Sequence, residues 1–293
     1  MKKTKVEFLK RFGKIRDLPS LPVIVTKVNA MLNDPNTTND SLSRGIEKDQ
    51  AIVFKMLQLV NSAFFGLREK ISTTNEAAII LGFDAIRNIV LSLSTFNVLD
   101  HLLEKKSNIR FNVDRFWRHS IGVAVLSKYI AEQTGVGDPE KCFVCGLLHD
   151  MGKLMLAHYF PDDFIEVIEH ASENGLMYLE AEKKVLPACH PEVGYFFVKK
   201  WDLPPHLANI IYSHHAVQPG AAFFDESIIV NTADGIINSY HADFLNNNKF
   251  PGNMNYAYFD THARKRFNVW IETAAQWFPK VEPLIDDALA FFL

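Results

Sequence analysis

Apolar residues recur along almost the whole chain at the three- and four-residue spacing of one helix face, while runs alternating every second residue are scarce. The spacing predicts a short amphipathic helix over 4–12, closed by Gly13. Ser20 is placed to cap a helix with Pro22 in its first turn and Val23, Val25, Val28 and Leu32 facing a core. That helix ends near Asp34-Pro35, and Thr37 to Asp40 caps another through Ile46. Asp49 caps the next, with Ile52, Met56, Leu57 and Val60 inward, and Asn61 to Gly66 ends it. In that stretch the glycine suits a helix C-cap with positive φ. Thr73 and Glu76 stand at capping-box spacing before Ala77–Leu81. Gly82 stops that helix, and a long one is predicted from Asp84 to Leu99.

Residues 101–113 are polar and break the pattern, which places a module boundary near 105. Phe116 to Ala131 is apolar on nearly all sides and predicts a central, buried helix. Asp138-Pro139 opens a helix running into His149-Asp150. Helices follow around 154–174 and 178–186, from Cys189-His190 to Trp201, from Pro204-Pro205 to His214-His215, and from Ser227 to Tyr240. Asn246 to Asn255 is a turn-rich loop, and the last forty residues are helical again. The expected fold is all-α: an N-terminal helical bundle over 1–105, a second bundle over 106–245 and a helical extension over 246–293.

Composition narrows the picture only a little. With 293 residues, 48 % hydrophobic and 22 % charged, the chain can bury a sizeable core. Its net charge of −3 argues against nucleic acid as a partner. The N-terminal lysines and arginines alternate with Phe8, Leu9 and Phe12, as on a solvated helix face. No stretch reaches the ~20 apolar residues of a membrane span, since Asp84 and Arg87 interrupt Ala77–Phe96. The first residues lack the pattern of a signal peptide, and three cysteines make no disulfide framework, so a cytoplasmic location is expected. Cys142-x-x-Cys145 lacks a second pair, and these residues and Cys189 suit core packing better than zinc.

The chemistry gathers around Gly146-Leu147-Leu148-His149-Asp150-Met151-Gly152-Lys153. A neutral imidazole beside a carboxylate can hold a divalent metal, but two adjacent ligands need partners from elsewhere. The chain offers His119 on the central helix, His190 at a helix start and His214-His215 at a helix end. Asp234 lies in an apolar helix where an unpaired carboxylate is costly. These seven residues suit a two-metal centre in a helical bundle. The plainer alternative is a set of buried polar groups that hydrogen-bond among themselves.

The order His119, His149-Asp150, Asp234 resembles the HD superfamily of metal-dependent phosphohydrolases. His190-Pro191-x-x-Gly194 and His214-His215 are similar to the HD-GYP branch, which binds two or three metals and cleaves cyclic di-GMP. From Leu18 to about residue 220 the chain resembles the HDOD (HD-related output domain) family, a bacterial signalling module. The marks are Leu18-Pro19-x-Leu21-Pro22, Asn61-Ser62-Ala63-x-Phe65-Gly66, Ile80-Leu81-Gly82, Trp117-x-His119-Ser120 and His149-Asp150-x-Gly152-Lys153.

The resemblance implies that His119, His149, Asp150, His190, His214, His215 and Asp234 are metal ligands. It implies that Asp150 and Lys153 serve catalysis, with Lys153 facing the scissile phosphate. The cofactor is then a divalent transition metal (Fe, Mn, Zn or Ni), two ions for an intact site. Two departures stand against cyclic di-GMP as substrate: Ala216-Val217-Gln218-Pro219 follows His215 where Gly-Tyr-Pro is expected, and residue 115 is Arg where three-metal members use Glu. Two functions are carried forward. One is a signalling protein acting by binding a partner protein or a nucleotide ligand, whether or not its metal centre works. The other is a metal-dependent phosphohydrolase acting on a nucleotide or cyclic dinucleotide.

Overall fold

A computed structural model describes residues 8, 10, 11, 15, 21–32, 34, 36–62, 64–104, 111–240 and 254–292. Most of the expected helix over 4–12, the Ser20 cap, Leu18-Pro19 and most of the 246–255 loop lie outside these residues, as does the 105 boundary; residues 8, 10 and 11 are helical.

Among the described residues the first bundle is built from α1 (Val23–Leu32), α2 (Asn39–Ile46), α3 (Gln50–Val60), α4 (Thr74–Leu81) and α5 (Phe83–Glu104). Its helix starts follow the polar punctuation of the chain. Thr38, Asp49 and Thr73 each accept a backbone N–H at a helix N-terminus, and Thr73 with Glu76 closes a reciprocal capping box. Gly82 takes positive φ as the C-cap of α4, whereas α3 is capped by Asn61, so Gly66, also at positive φ, belongs to the loop that follows and is not the expected C-cap. Asn61 does more than cap. Its amide donates to the Leu57 and Ile71 carbonyls and its carbonyl accepts the Ile71 N–H, which ties the 61–71 loop down.

Two expectations change here. Val23 is 82 % exposed, and Ile24 is buried in its place. Ile24 stands four residues before the buried Val28 and shares its face, whereas Val23 is rotated away. The long helix also runs past Leu99 through Glu104, because Leu102 still reaches the core.

The second bundle surrounds α6 (Val113–Thr134), buried along most of its length. Against it pack α7 (Pro139–Leu148) and α13 (Phe224–Tyr240). The expected 154–174 helix is two helices, α8 (Met151–Tyr159) and α9 (Pro161–Asn174). Pro161 forces the break, since it cannot donate to the preceding turn. Then come α10 (Tyr178–Val185), α11 (His190–Lys200) and α12 (Pro205–Ser213). The chain closes with a 3₁₀ turn (Tyr256–Tyr258), α14 (Thr261–Glu272) and α15 (Ala274–Phe292), whose residues pack back on α6. One core joins both bundles: Phe96 of α5 lies 4.3 Å from Trp117 of α6 and 5.0 Å from Phe292 of α15, between ring centroids. No described helix is long and apolar enough to cross a membrane.

Candidate metal centre

Six helices and the turns that join them aim side chains at one buried point. His119 comes from the middle of α6, and His149 and Asp150 form the turn between α7 and α8. His190 is the first residue of α11, His214 and His215 follow α12, and Asp234 lies inside α13. Two glycines let the backbones approach. A Cβ on Gly146 would meet the Ala124 Cα at 2.8 Å, so α7 lies hard against α6. A Cβ on Gly152 would stand 1.9 Å from the His190 carbonyl oxygen. The glycine two residues after Asp150 is therefore what brings His190 to the site.

The seven predicted residues come together in two groups. Asp150, His190, His214 and His215 form one, and His119, His149 and Asp234 the other. Within each group the ligand atoms lie inside 4.8 Å of one another. Asp150 faces both. Its Oδ2 is 3.3 Å from His149 Nε2 and 3.6 Å from His119 Nε2. Its Oδ1 is 3.2 Å from His190 Nε2 and 3.8 Å from His214 Nε2. Asp234 Oδ1 lies 3.1 Å from His119 Nε2, and Asp234 Oδ2 lies 4.0 Å from His215 Nδ1.

The outward ring nitrogens fix the orientation of three of these imidazoles. His149 Nδ1 donates to the Gly146 carbonyl at 2.7 Å and His214 Nδ1 to the Ile211 carbonyl at 2.6 Å. His190 Nδ1 donates to Glu182 Oε2 at 2.5 Å, and both side chains are fully buried. Each Nε2 then points inward, the arrangement that outer hydrogen bonds give to metal-bound histidines. The inward nitrogens crowd one another, with His190 Nε2 3.1 Å from His215 Nε2 and 3.4 Å from His214 Nε2.

Electrostatics set the imidazoles apart from one another. Burial opposes a charge on His149, but the Asp150 and Asp234 carboxylates outweigh it and raise the imidazole to about 10. Burial, then the neighbouring imidazoles, hold His214 well below its ordinary value and His215 at about 3. Burial also opposes ionisation of Asp150 and Asp234. His149 and Lys153 around the first, and His119 and His149 around the second, nevertheless hold both carboxyls well below the carboxylate range. For His190, burial is overcome by Glu182, and its value rises.

Each of the two groups could hold a metal ion. Asp150 is 2 % exposed, yet its Oδ1 has no hydrogen bond of acceptable geometry even with His190 Nε2 3.2 Å away. A buried carboxylate oxygen without a partner is costly, and so are neutral imidazole lone pairs facing one another. Cations between the groups remove both penalties, and an all-nitrogen and oxygen donor set suits zinc, iron, manganese or nickel. Neither Cys142 nor Cys145 joins either group; both are buried, and burial pushes their thiols up.

A cavity of about 110 Å³ opens beside the centre, lined in part by Lys153, Tyr178, His190, His215, Asp234 and Asp260. Lys153 Nζ lies 2.5 Å from Asp150 Oδ2 and 5.2 Å from the Tyr178 ring centroid. Three supporting residues escaped the sequence reading. Glu182 holds His190, Asn238 donates to Asp234 Oδ1 at 2.8 Å, and Asn231 donates to the His214 carbonyl at 2.7 Å. Asn231 also accepts the Asp260 N–H at 2.7 Å, which draws the segment after the second bundle over the site. Asn231 and Asn238 did carry a signal, as amides inside the apolar run around Asp234. Glu182 carried none, since it sits among charged residues in a short helix.

An all-helical protein with a His/Asp cluster at the junction of these helices falls in the HD class. The HDOD domain model matches residues 18–217, and the chain belongs to the HDOD family. Its fold is that of an HDOD domain protein with unknown function from Geobacter sulfurreducens: TM-score 0.69, 23 % identity, 97 % of this chain and 98 % of that one covered. A Shewanella amazonensis SB2B protein provisionally named a phosphohydrolase superposes with TM-score 0.71 and 20 % identity, over 96 % of this chain and 97 % of that one. An uncharacterized protein of Treponema pallidum (strain Nichols) is 25 % identical over 202 residues, 69 % of this chain. The match spans only 38 % of that relative's length.

Proposed function

We propose that this chain is a signalling HDOD protein whose second bundle holds two divalent metal ions and hydrolyses a phosphoester of the nucleotide class. His119, His149 and Asp234 would hold one ion, His190, His214 and His215 the other, and Asp150 would lie between them. The observation that carries the reading is the division of Asp150, one oxygen toward each group, with Oδ1 buried and without a hydrogen bond. When bound, the metal pair supplies Lewis acidity toward the phosphate and its attacking water.

The chain's own residues do the rest. Lys153, at the cavity wall, offsets charge on a phosphate, and Tyr178 flanks its ammonium. Glu182 and the Gly146 and Ile211 carbonyls keep three imidazoles turned inward. The Shewanella neighbour's name agrees with this chemistry, and the missing Gly-Tyr-Pro sequence leaves the substrate at nucleotide phosphoesters in general. A cytoplasmic location, a signalling partner protein and the division into modules near 105 and 245 belong to the same proposal.

The test is elemental analysis of protein purified without chelator, beside Asp150→Ala, followed by turnover of bis(p-nitrophenyl) phosphate and a nucleotide panel with Mn, Fe, Zn or Ni. About two ions per chain and turnover absent from the variant are expected. A metal-loaded protein inert toward the whole panel overturns hydrolysis. It leaves the second reading, binding of a partner or nucleotide, which the first bundle packed on the HD-type bundle favours. Metal-free protein overturns both roles of the cluster.

A further inference from the structure

A second cavity, about 460 Å³, lies between the two bundles, far larger than the one beside the metal centre. α1 and α5 of the first bundle supply Val25, Thr26 and Arg87, and the turn from α11 to α12 supplies Lys199, Trp201 and His206. Its walls are apolar in Val25, Ala30, Leu203 and the Pro204-Pro205 pair.

The polar groups around it are short of partners. His206 is 4 % exposed, and its Nε2 has no hydrogen bond. Burial first, then the Arg87 guanidinium, hold this imidazole at about 4, so it is neutral. Arg87 is tethered through one nitrogen to the exposed Asp84 carboxylate at 2.8 Å, while its Nε is buried without a partner. Lys199 is exposed at the wall and makes no ion pair among the described residues. Asp202 is the single acidic residue of the lining, set against Arg87 and Lys199. α12 also starts here, nine residues long and without a side-chain cap, so its positive end faces the same space.

The volume falls in the range of small-molecule sites, and the lining mixes polar and apolar side chains. A guanidinium and an ammonium, beside a helix N-terminus, call for an anion with acceptor oxygens. The apolar walls and the Trp201 indole call for an organic body attached to it. We propose that this cavity binds a small organic phosphate of mononucleotide size, separately from the metal centre. The two helices that meet at it, α11 and α12, are those that carry His190 at one far end and His214 and His215 at the other. The site is independent of any hydrolytic activity, and its ligand touches none of the seven clustered residues.

The test is isothermal titration calorimetry on the full chain with AMP, GMP, CMP, UMP and inorganic phosphate. The same titrations are made on Lys199→Gln, Arg87→Met and Asp150→Ala. At least one nucleotide is expected to bind with Kd below ~1 mM. Lys199→Gln lies at the surface and spares folding; it and Arg87→Met are each expected to weaken binding about tenfold, equivalent to about 1.4 kcal/mol. Asp150→Ala, which removes the metal centre, leaves Kd unchanged. No binding of any nucleotide overturns the proposal. So does binding that survives both cavity variants, or that is lost in Asp150→Ala, which would assign it to the metal centre. Inorganic phosphate binding as tightly as the best nucleotide overturns the claim on size.

Discussion

The two bundles share one apolar core but bury different polar groups. In the described part of the first, the buried polar residues are Ser43, Thr74, Asn88, Ser92, Ser94 and Thr95, none of them ionisable. The second buries His149, Asp150, Glu182, His190, His214 and Asp234, each 2 % exposed or less. Ser43 donates to the Asn39 carbonyl and Thr74 to Glu47, whereas Ser92, Ser94, Thr95 and the Asn88 amide are buried without a hydrogen bond. A buried charged imidazole or carboxylate costs several times more than such a neutral group unless it is paired. Six such groups at one point are a stability burden that a helical core has no need to carry. The contrast is therefore in kind: the first bundle scatters neutral polar groups along its helices, and the second gathers ionisable ones at one point.

Four substitutions test that contrast. The largest effect is expected from Asp150→Ala, which removes the carboxylate facing both groups. Elemental analysis should find metal content falling to zero while circular dichroism stays helical; retained metal would mean the two groups work without it. Next is Leu59→Ala, a fully buried position in α3 of the first bundle. It should lower unfolding free energy by about 2–5 kcal/mol in urea titrations and leave metal content as it was. Metal loss in that variant at a temperature where it is folded would tie the bundles together more tightly than their packing suggests.

Glu182→Gln is a subtler probe of the second bundle. It keeps the shape and one acceptor but removes the charge that pairs with His190 Nδ1. Metal affinity should fall about 10–100-fold with thermal stability nearly kept, as read by competition with a chelator. Unchanged affinity would reduce Glu182 to a packing residue. The smallest effect is expected from Thr73→Ala, which opens the capping box of α4. About 1 kcal/mol of stability should be lost, with no change in metal.

The helices themselves were legible before any coordinates. Thr73 with Glu76, Asp49, Asp138-Pro139 and Gly82 mark helix ends by local chemistry, and the seven His and Asp positions stood out by residue type and order. Such signals are local, because a cap or a helix face is settled within a few residues. Placement errors came where neighbours in space decide. Val23 and Ile24 are both apolar, and the packing of α1 on α2 and α5 selects the face that Ile24 shares with Val28. Glu182 reads as a surface acid among Glu180, Lys183 and Lys184 until the fold buries it against His190. The role of Gly152 is likewise invisible along the chain, since its constraint is the His190 carbonyl thirty-eight residues away. Sequence alone therefore determined the all-helical class, the family resemblance and the residues able to bind metal. Tertiary structure decided that Asp150 divides its oxygens between two groups, which carboxylate holds which imidazole, and that a cavity opens between the bundles. Distances between residues far apart in the chain depend on how helices pack, and no local pattern encodes them.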